Sequence, residues 1–295
     1  MADGAASLIY HTGALGDFIT TLPAFDAWRR THREERIALL GVPAFASLAL
    51  PGVLDQAWDA GSRFFASLFS AGGPDVALAG RLRPVGSALL FASALSPVER
   101  HLRALGVTDI LRQDPFPNDR TPVVDYHLSL FSGLLLTPDE RIPRVRVDDA
   151  DAPHVTGSTI ALHAGSGSPA KNWPRERFTR IAEALRADGH AIAWVQGPAE
   201  DDTPAPPGTA VWRRLSLTAL SAALARCRLF VGNDSGVTHL AAACGCPTVA
   251  LFGPSDPHVW APRGRMVKVV ASANGRIEEV AENDVLREIR SLLGG

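Results

Sequence analysis

Lysine is nearly absent from this chain: of 29 basic residues only Lys171 and Lys268 are lysine, and arginine supplies the rest. Cysteine is scarce as well. Cys227, Cys244 and Cys246 are an odd number that makes a poor disulfide framework and fits a reducing compartment. Cys244-Gly245-Cys246 lacks zinc-knuckle spacing and has no second pair to complete a site, so it reads as small buried residues near a helix end. No apolar run is long enough to cross a bilayer, and no charged segment followed by an apolar one opens the chain, so a cytoplasmic protein is expected. Excess charge of one sign is missing too. A net charge of −2 offers no general attraction to nucleic acid or anionic lipid, and any basic site must be local. Neither G-x-G-x-x-G nor G-x-x-x-x-G-K-[ST] occurs, which argues against a nicotinamide oxidoreductase and against a Walker-type kinase or motor.

What is present describes a folded α/β protein. Hydrophobic residues make up 46% and charged residues 20% of 295, enough for two ordinary domains or one large one. Short apolar runs alternate with helical patterns throughout, as parallel α/β layers require. In the first half, strands are expected at 8–10, 37–40, 76–78 and 88–91, and helices at 17–30, 43–50, 62–69, 97–105 and 123–135. Pro23 predicts a kink or early break in the first of these helices. Residues 137–157, TPDERIPRVRVDDADAPHVTG, are rich in proline and acid and read as a linker with at most an edge strand. Asp149-Ala150-Asp151 matches the D-x-D metal motif in form, but in a linker it reads as a solvated acidic run. The pattern then restarts, with strands at 159–163, 191–195, 211–213, 229–231, 248–252 and 267–270. Helices are expected at 175–187, 217–226, 236–244 and 278–293. Two Rossmann-like domains, 1–150 and 151–295, follow, with the ligand site in the cleft between them.

Three strand-to-helix loops carry the chemistry. The first, in IYHTGALGDFITTLPAF (residues 9–25), has the shape of a phosphate turn, but Asp17 stands in the first turn of the helix. A carboxylate there suits the helix dipole and repels a phosphate. The second is in GNDSGVTHLAAACGCPTVALFGPSDP (residues 232–257), where Asn233, Asp234 and Ser235 are all good N-caps and Gly236 clears the helix end. Free backbone N–H groups and the positive helix end make a seat for a diphosphate, with Ser235, Thr238 and His239 alongside. The same residues also read as a capped helix with a core histidine. The third loop, HAGSGSPAKNWPRERF (residues 163–178), offers Ser166, Gly167, Ser168 and the isolated Lys171. A compact ammonium in a small-residue loop suits phosphate oxygens, and two such loops in one half-chain favour the anion seat.

The segments GALGDFITTLPAF, HAGSGSPAKNWP and VGNDSGVTHLAAACGCPTVALFGPSDP together resemble family 9 of the glycosyltransferases, the bacterial ADP-heptose heptosyltransferases of the lipopolysaccharide inner core. The third segment is the most specific, joining D-[ST]-G-x-x-H to a later F/Y-G-x-[ST]-D-P. The resemblance implies a GT-B fold, with an N-terminal acceptor domain and a C-terminal donor domain. It places Asp17 on the family's catalytic base, Ser166, Ser168 and Lys171 on donor-phosphate contacts, and Glu200 on the acid that meets the ribose. It puts Leu215 near the adenine, and Asp234, Ser235, Gly236 and His239 at the diphosphate and sugar end; Gly167 belongs to the same donor loop. Thr12, Gly13 and Gly16 are the expected acceptor-side positions. The implied activity is inverting transfer of a heptose from ADP-heptose to a sugar hydroxyl of a lipopolysaccharide core or related glycan. No cofactor or metal is implied beyond the nucleotide-sugar co-substrate.

The expected partners are that donor and a glycan or glycolipid acceptor, with no nucleic acid. Peripheral contact at the cytoplasmic face of the inner membrane stays open, because Trp28, Trp58, Phe64, Phe65 and Phe69 either pack inside or form an apolar patch. Residues 60–95 depart from the family on the acceptor side: they carry only Arg63, Arg81 and Arg83 where a phosphorylated lipid core calls for a basic groove. Two alternatives remain at this level. One is an inverting GT-B transferase using another nucleotide sugar; the other is a GT-B-like protein that binds nucleotide sugars or glycans without turnover.

Overall fold

The structure is a computed structural model that describes residues 6–148, 152–197 and 204–294. The chain divides into two compact units, Met1–Arg141 and Ile142–Gly295. Each is built around one parallel sheet whose central strands are continuous runs of buried residues, as expected where helices cover both faces.

In the first unit the strands are β1 (Ser7–His11), β2 (Ile37–Gly41), β3 (Gln56–Asp59), β4 (Ser87–Phe91) and β5 (Asp109–Gln113). Their order across the sheet is β3-β2-β1-β4-β5, with every neighbouring pair parallel. The helices are α1 (Leu15–Thr31), α2 (Pro43–Ala46), α3 (Val76–Leu82), α4 (Val98–Ala104) and α5 (Val123–Leu128). The second unit holds β6 (Thr159–His163), β7 (Ala191–Gln196), β8 (Ala210–Arg213), β9 (Leu229–Asn233), β10 (Thr248–Phe252) and β11 (Val267–Ala271). Its order is β11-β10-β9-β6-β7-β8, again all parallel, which is the doubly wound Rossmann arrangement. Helices α6 (Arg175–Ala187), α7 (Leu217–Arg226), α8 (Gly236–Ala243), α9 (Pro257–Trp260) and α10 (Glu282–Leu293) complete it.

In both sheets the order reverses beside the first strand. The loops after β1 and β4 therefore diverge at one edge of the first sheet, and those after β6 and β9 do so in the second. Such switch points open a crevice at the carboxyl ends of the strands, where ligands of doubly wound sheets bind.

Several local expectations need correction. Residues 76–78 were expected as a strand and instead open α3. Asp75 caps it by accepting a hydrogen bond from Leu78 N–H at 2.9 Å, and Leu78 and Leu82 are buried while Val76 points outward. That four-residue spacing is helical, but it cannot be told from a strand in three residues alone. The edge strands β3 and β5 were not anticipated, because their mixed polar sequences lack an apolar run. Helix α1 runs through Pro23 to Thr31. The helix expected at 43–50 ends at Ala46, residues 63–69 form a 3₁₀ helix, and the helix expected at 123–135 passes into a 3₁₀ turn after Leu128. Helix α10 begins at Glu282 rather than 278, after a 3₁₀ turn.

Each unit has its own core. In the first, Leu8, Leu40, Trp58, Phe65, Leu78, Leu90 and Leu102 pack together. In the second, Leu162, Trp173, Phe178, Trp194, Val231, Leu251 and Ile289 do so, with Phe178 meeting Trp173 edge-on at 5.2 Å. Of the aromatic residues that left membrane contact open, Trp28, Trp58 and Phe65 are buried and Phe64 is exposed. Among the described residues no helix is long and apolar enough to cross a membrane.

Candidate functional site

At the switch point of the second sheet, two loops meet side chain to side chain. Lys171 follows β6, Asp234 follows β9, and Lys171 Nζ lies 2.7 Å from Asp234 Oδ2. The lysine is half-buried and the aspartate is buried, so the pair is shielded on one side only. The Asp234 backbone N–H donates to Leu251 O at 2.9 Å, which ties its loop to β10. Helix α8 starts immediately after it. Ser235 is the N-cap, with its hydroxyl 3.1 Å from Thr238 Oγ1 and accepting from Thr238 N–H. The first backbone N–H groups of α8, beginning at Gly236, thus emerge next to Asp234 and Lys171.

His239 sits one turn into α8 and is 6% exposed. Burial drives its imidazole toward the neutral form; Asp234 pulls the other way, and Lys171 adds to the depression. The histidine is buried, neutral and within the electrostatic reach of both loop charges.

The loop 164–174 is ordered by its own hydroxyls. Ser166 Oγ lies 2.7 Å from Ser168 O and 2.6 Å from Asn172 Oδ1, and it accepts from Ser168 N–H at 3.2 Å. Ser166 thus shapes the turn that presents Lys171, while Gly167 at its tip is exposed. Asn233, read from sequence only as one of three N-cap candidates, is fully buried. Its carboxamide accepts from Trp173 N–H at 3.0 Å and donates to Ala164 O at 2.8 Å. A buried side-chain amide must be bonded, but its burial is not written in the local sequence, which marks Asn233 only as a capping residue.

Farther along the same sheet edge, Arg213 donates to Gln196 Oε1 through Nε and Nη2, at 3.1 and 2.8 Å. The next residue, Arg214, has φ 52°, a left-handed conformation rare for a non-glycine residue. Leu215 follows it, half-buried, just before Ser216 caps α7. Glu200 lies outside the described residues, as do Asp149 and Asp151. Among the described residues no group of three or more His, Cys, Asp or Glu side chains could hold a metal ion. Cys227, Cys244 and Cys246 are free thiols, and burial pushes all three up, the first two to about 12. They are unreactive packing groups, as their spacing implied.

The first unit presents its own switch-point loop. Asp17 is the third residue of α1 and is half-buried, with Oδ2 accepting from Ala14 N–H at 3.1 Å. That bond is the carboxylate half of a capping box, so Asp17 caps α1. Thr12 is exposed, and its hydroxyl reaches Tyr10 Oη only at a long 3.4 Å. Gly13 sits in tight space: a Cβ there would stand 3.0 Å from Asp17 Cβ, 3.0 Å from His11 Cε1 and 3.1 Å from Asp17 Oδ2. Gly16 lies in the first turn of α1, one residue before Asp17.

Behind this loop lies an aromatic box that sequence reading missed. The His11 ring meets Phe18 at 5.4 Å, Phe91 at 5.9 Å and Phe25 at 6.5 Å, all edge to face. Phe91 in turn meets His127 at 5.1 Å. Burial lowers His11 to about 4 and, with help from His11, lowers His127 to about 3, and Nδ1 of each has no hydrogen-bond partner among the described residues. Both rings are therefore neutral near pH 7.

A family model described as glycosyltransferase family 9 (heptosyltransferase) matches residues 123–289, which takes in the Lys171 and Asp234 loops and leaves Asp17 outside. Lipopolysaccharide heptosyltransferase 3 of Escherichia coli is 32% identical over 102 residues, 31% of this chain and 30% of that one. Lipooligosaccharide heptosyltransferase 2 of Haemophilus influenzae is 31% identical over 131 residues, 39% of this chain and 37% of that one. These matches thus span about a third of the length of the curated relatives. Among solved structures, a family 9 glycosyl transferase from Veillonella parvula has a TM-score of 0.76 and 18% identity, covering 99% of this chain and 98% of that one. The Escherichia coli ADP-heptose LPS heptosyltransferase II has a TM-score of 0.75 and 17% identity, covering 97% and 98%. At these identities the likeness is one of fold, the GT-B fold of two Rossmann-like units. With the family match reaching across more than half of its residues, the chain belongs to glycosyltransferase family 9.

Proposed function

We propose that this protein is an inverting glycosyltransferase that moves a heptose from ADP-heptose to a sugar hydroxyl of a lipopolysaccharide core or related glycan. The observation that carries the reading is the pairing of Lys171 with Asp234 at the start of α8, on the switch point of the second sheet. An ammonium and a helix N-terminus there meet the charge that builds on a departing diphosphate, which is the larger electrostatic part of such catalysis. Asp234 holds Lys171 in place until a phosphate competes for it. ADP-heptose is the first donor to test, because one relative of the same fold is named for it.

Asp17 is the proposed general base. The acceptor hydroxyl gives its proton to the carboxylate as its oxygen bonds to the anomeric carbon. The bond from that carbon to the diphosphate oxygen breaks on the opposite face, and the configuration inverts. Lys171 and α8 carry the leaving-group charge in this scheme, with no cofactor invoked. Asp17→Asn keeps the side-chain shape and removes the base. Turnover with ADP-heptose and a core-glycan acceptor should fall by roughly 10²–10⁴-fold while the ADP dissociation constant, read by calorimetry, stays within error. Full turnover in Asp17→Asn would remove Asp17 from the chemistry. Failure of the wild type to bind ADP more tightly than UDP or GDP would remove ADP-heptose as donor.

A further inference from the structure

We infer that Asn233 is a positioning residue that sets where Lys171 stands, by bracing the lysine loop from inside the second sheet. The inference rests on the donor reading above. Asn233 is the last residue of β9 and has no exposed surface. Its one carboxamide spans both ends of the loop after β6: Nδ2 donates to Ala164 O at the start, and Oδ1 accepts from Trp173 N–H at the end. Lys171 lies between those two points, and its ammonium contacts the residue next to Asn233. Trp173 is itself anchored, 1% exposed, with its indole N–H donating to Val280 O at 3.0 Å. The amide bonds therefore join a rigid strand end to a rigid tryptophan and leave the intervening loop one reach and one direction.

A side chain with two acceptors or two donors cannot make both bonds. Leucine of similar size makes neither and strands a buried carbonyl and a buried N–H. The amide is also within two residues of the α8 N-cap, so the same brace fixes the distance between the ammonium and the helix end. That distance decides whether one diphosphate touches both.

The test is a double-mutant cycle on ADP binding, measured by calorimetry on the full chain, with Asn233→Ser, Lys171→Ala and the double variant. Serine is too short to span the loop. The expected result is a roughly tenfold weaker ADP affinity in each single variant, with the double variant no weaker than Lys171→Ala alone. In steady state, Asn233→Ser should raise the donor KM and leave the acceptor KM unchanged. A general structural defect would instead add to the lysine effect and lower kcat with both substrates. Additive effects, or wild-type ADP affinity in Asn233→Ser, would overturn the inference and leave the donor reading intact. Wild-type affinity in Lys171→Ala would overturn both. Should Asn233→Ser prove too unstable to purify, isosteric Asn233→Asp retains the bond from Trp173, loses the bond to Ala164 and is read in the same cycle.

Discussion

Gly13 shows how little room surrounds the proposed base. A methyl group at this position would press on Asp17 and His11 at about the limit real contacts reach, so the Asp17 carboxylate, which accepts from Ala14 N–H, must shift to admit it. Gly13→Ala should therefore lower kcat at least tenfold with a melting temperature within a few degrees of wild type, as turnover and calorimetry would show. Loss of stability with unchanged kcat would contradict this. The histidines behind the loop make a second prediction. His11 and His127 titrate at about 4 and about 3 in the folded chain and near 6.5 when unfolded. Between those values the unfolded state binds more protons, so stability is complete above pH 6.5 and declines as pH falls toward 4 and below, by about 1.4 kcal/mol per pH unit for each ring. His127→Gln should flatten that acid slope relative to wild type in thermal melts from pH 7 to 4; equal slopes would refute it. At this scale Asp17 and Lys171 were legible because each is an ill-fitting charge in a small-residue loop. His11, His127 and Asn233 were not, because their roles come from neighbours 7 to 116 residues away in the chain.

At the scale of elements, α8 depends on the close approach of β9. A Cβ on Gly232 would lie 2.7 Å from Phe230 Cε1 and 2.8 Å from Thr238 Oγ1, so it would push the helix start away from the strand. Gly232→Ala is expected to destabilise by about 1–3 kcal/mol and to weaken ADP binding in the same variant. Unfolding titrations and calorimetry read the two effects. A variant of normal stability and affinity would mean that α8 shifts without cost. The elements that carry the candidate site, β1, β6, β9, α1 and α8, were all readable: central strands of a parallel sheet are largely apolar runs, α8 begins at the Ser235 cap and Gly236, and α1 follows a glycine-punctuated turn with Asp17 in its first turn. What escaped detection lies at the margins. β3 and β5 are edge strands paired on one side only, and residues 76–78 look alike as strand or helix until Leu82 completes the turn.

For the whole molecule, the two cores share no residue, and each sheet is complete in itself. ADP should therefore stabilise one unit more than the other. At a concentration a hundredfold above its dissociation constant, about 2.7 kcal/mol of protection is expected, concentrated in Ile142–Gly295 and readable by hydrogen exchange. Equal protection of Met1–Arg141 would show that the nucleotide engages both units alike. The family match carries the same asymmetry, because it includes the proposed anion site and stops short of Asp17. The order of residues alone determined that there would be two parallel α/β units, where the candidate ligand loops would fall, and which charges stood out in them. Those are local facts, set by apolar period, caps and glycines. Only the tertiary structure decided that Lys171 pairs with Asp234 and that Asn233 ties 164 to 173. It also decided that His11 and His127 share one box. Such contacts exist only once the crossover connections have brought distant strand ends side by side.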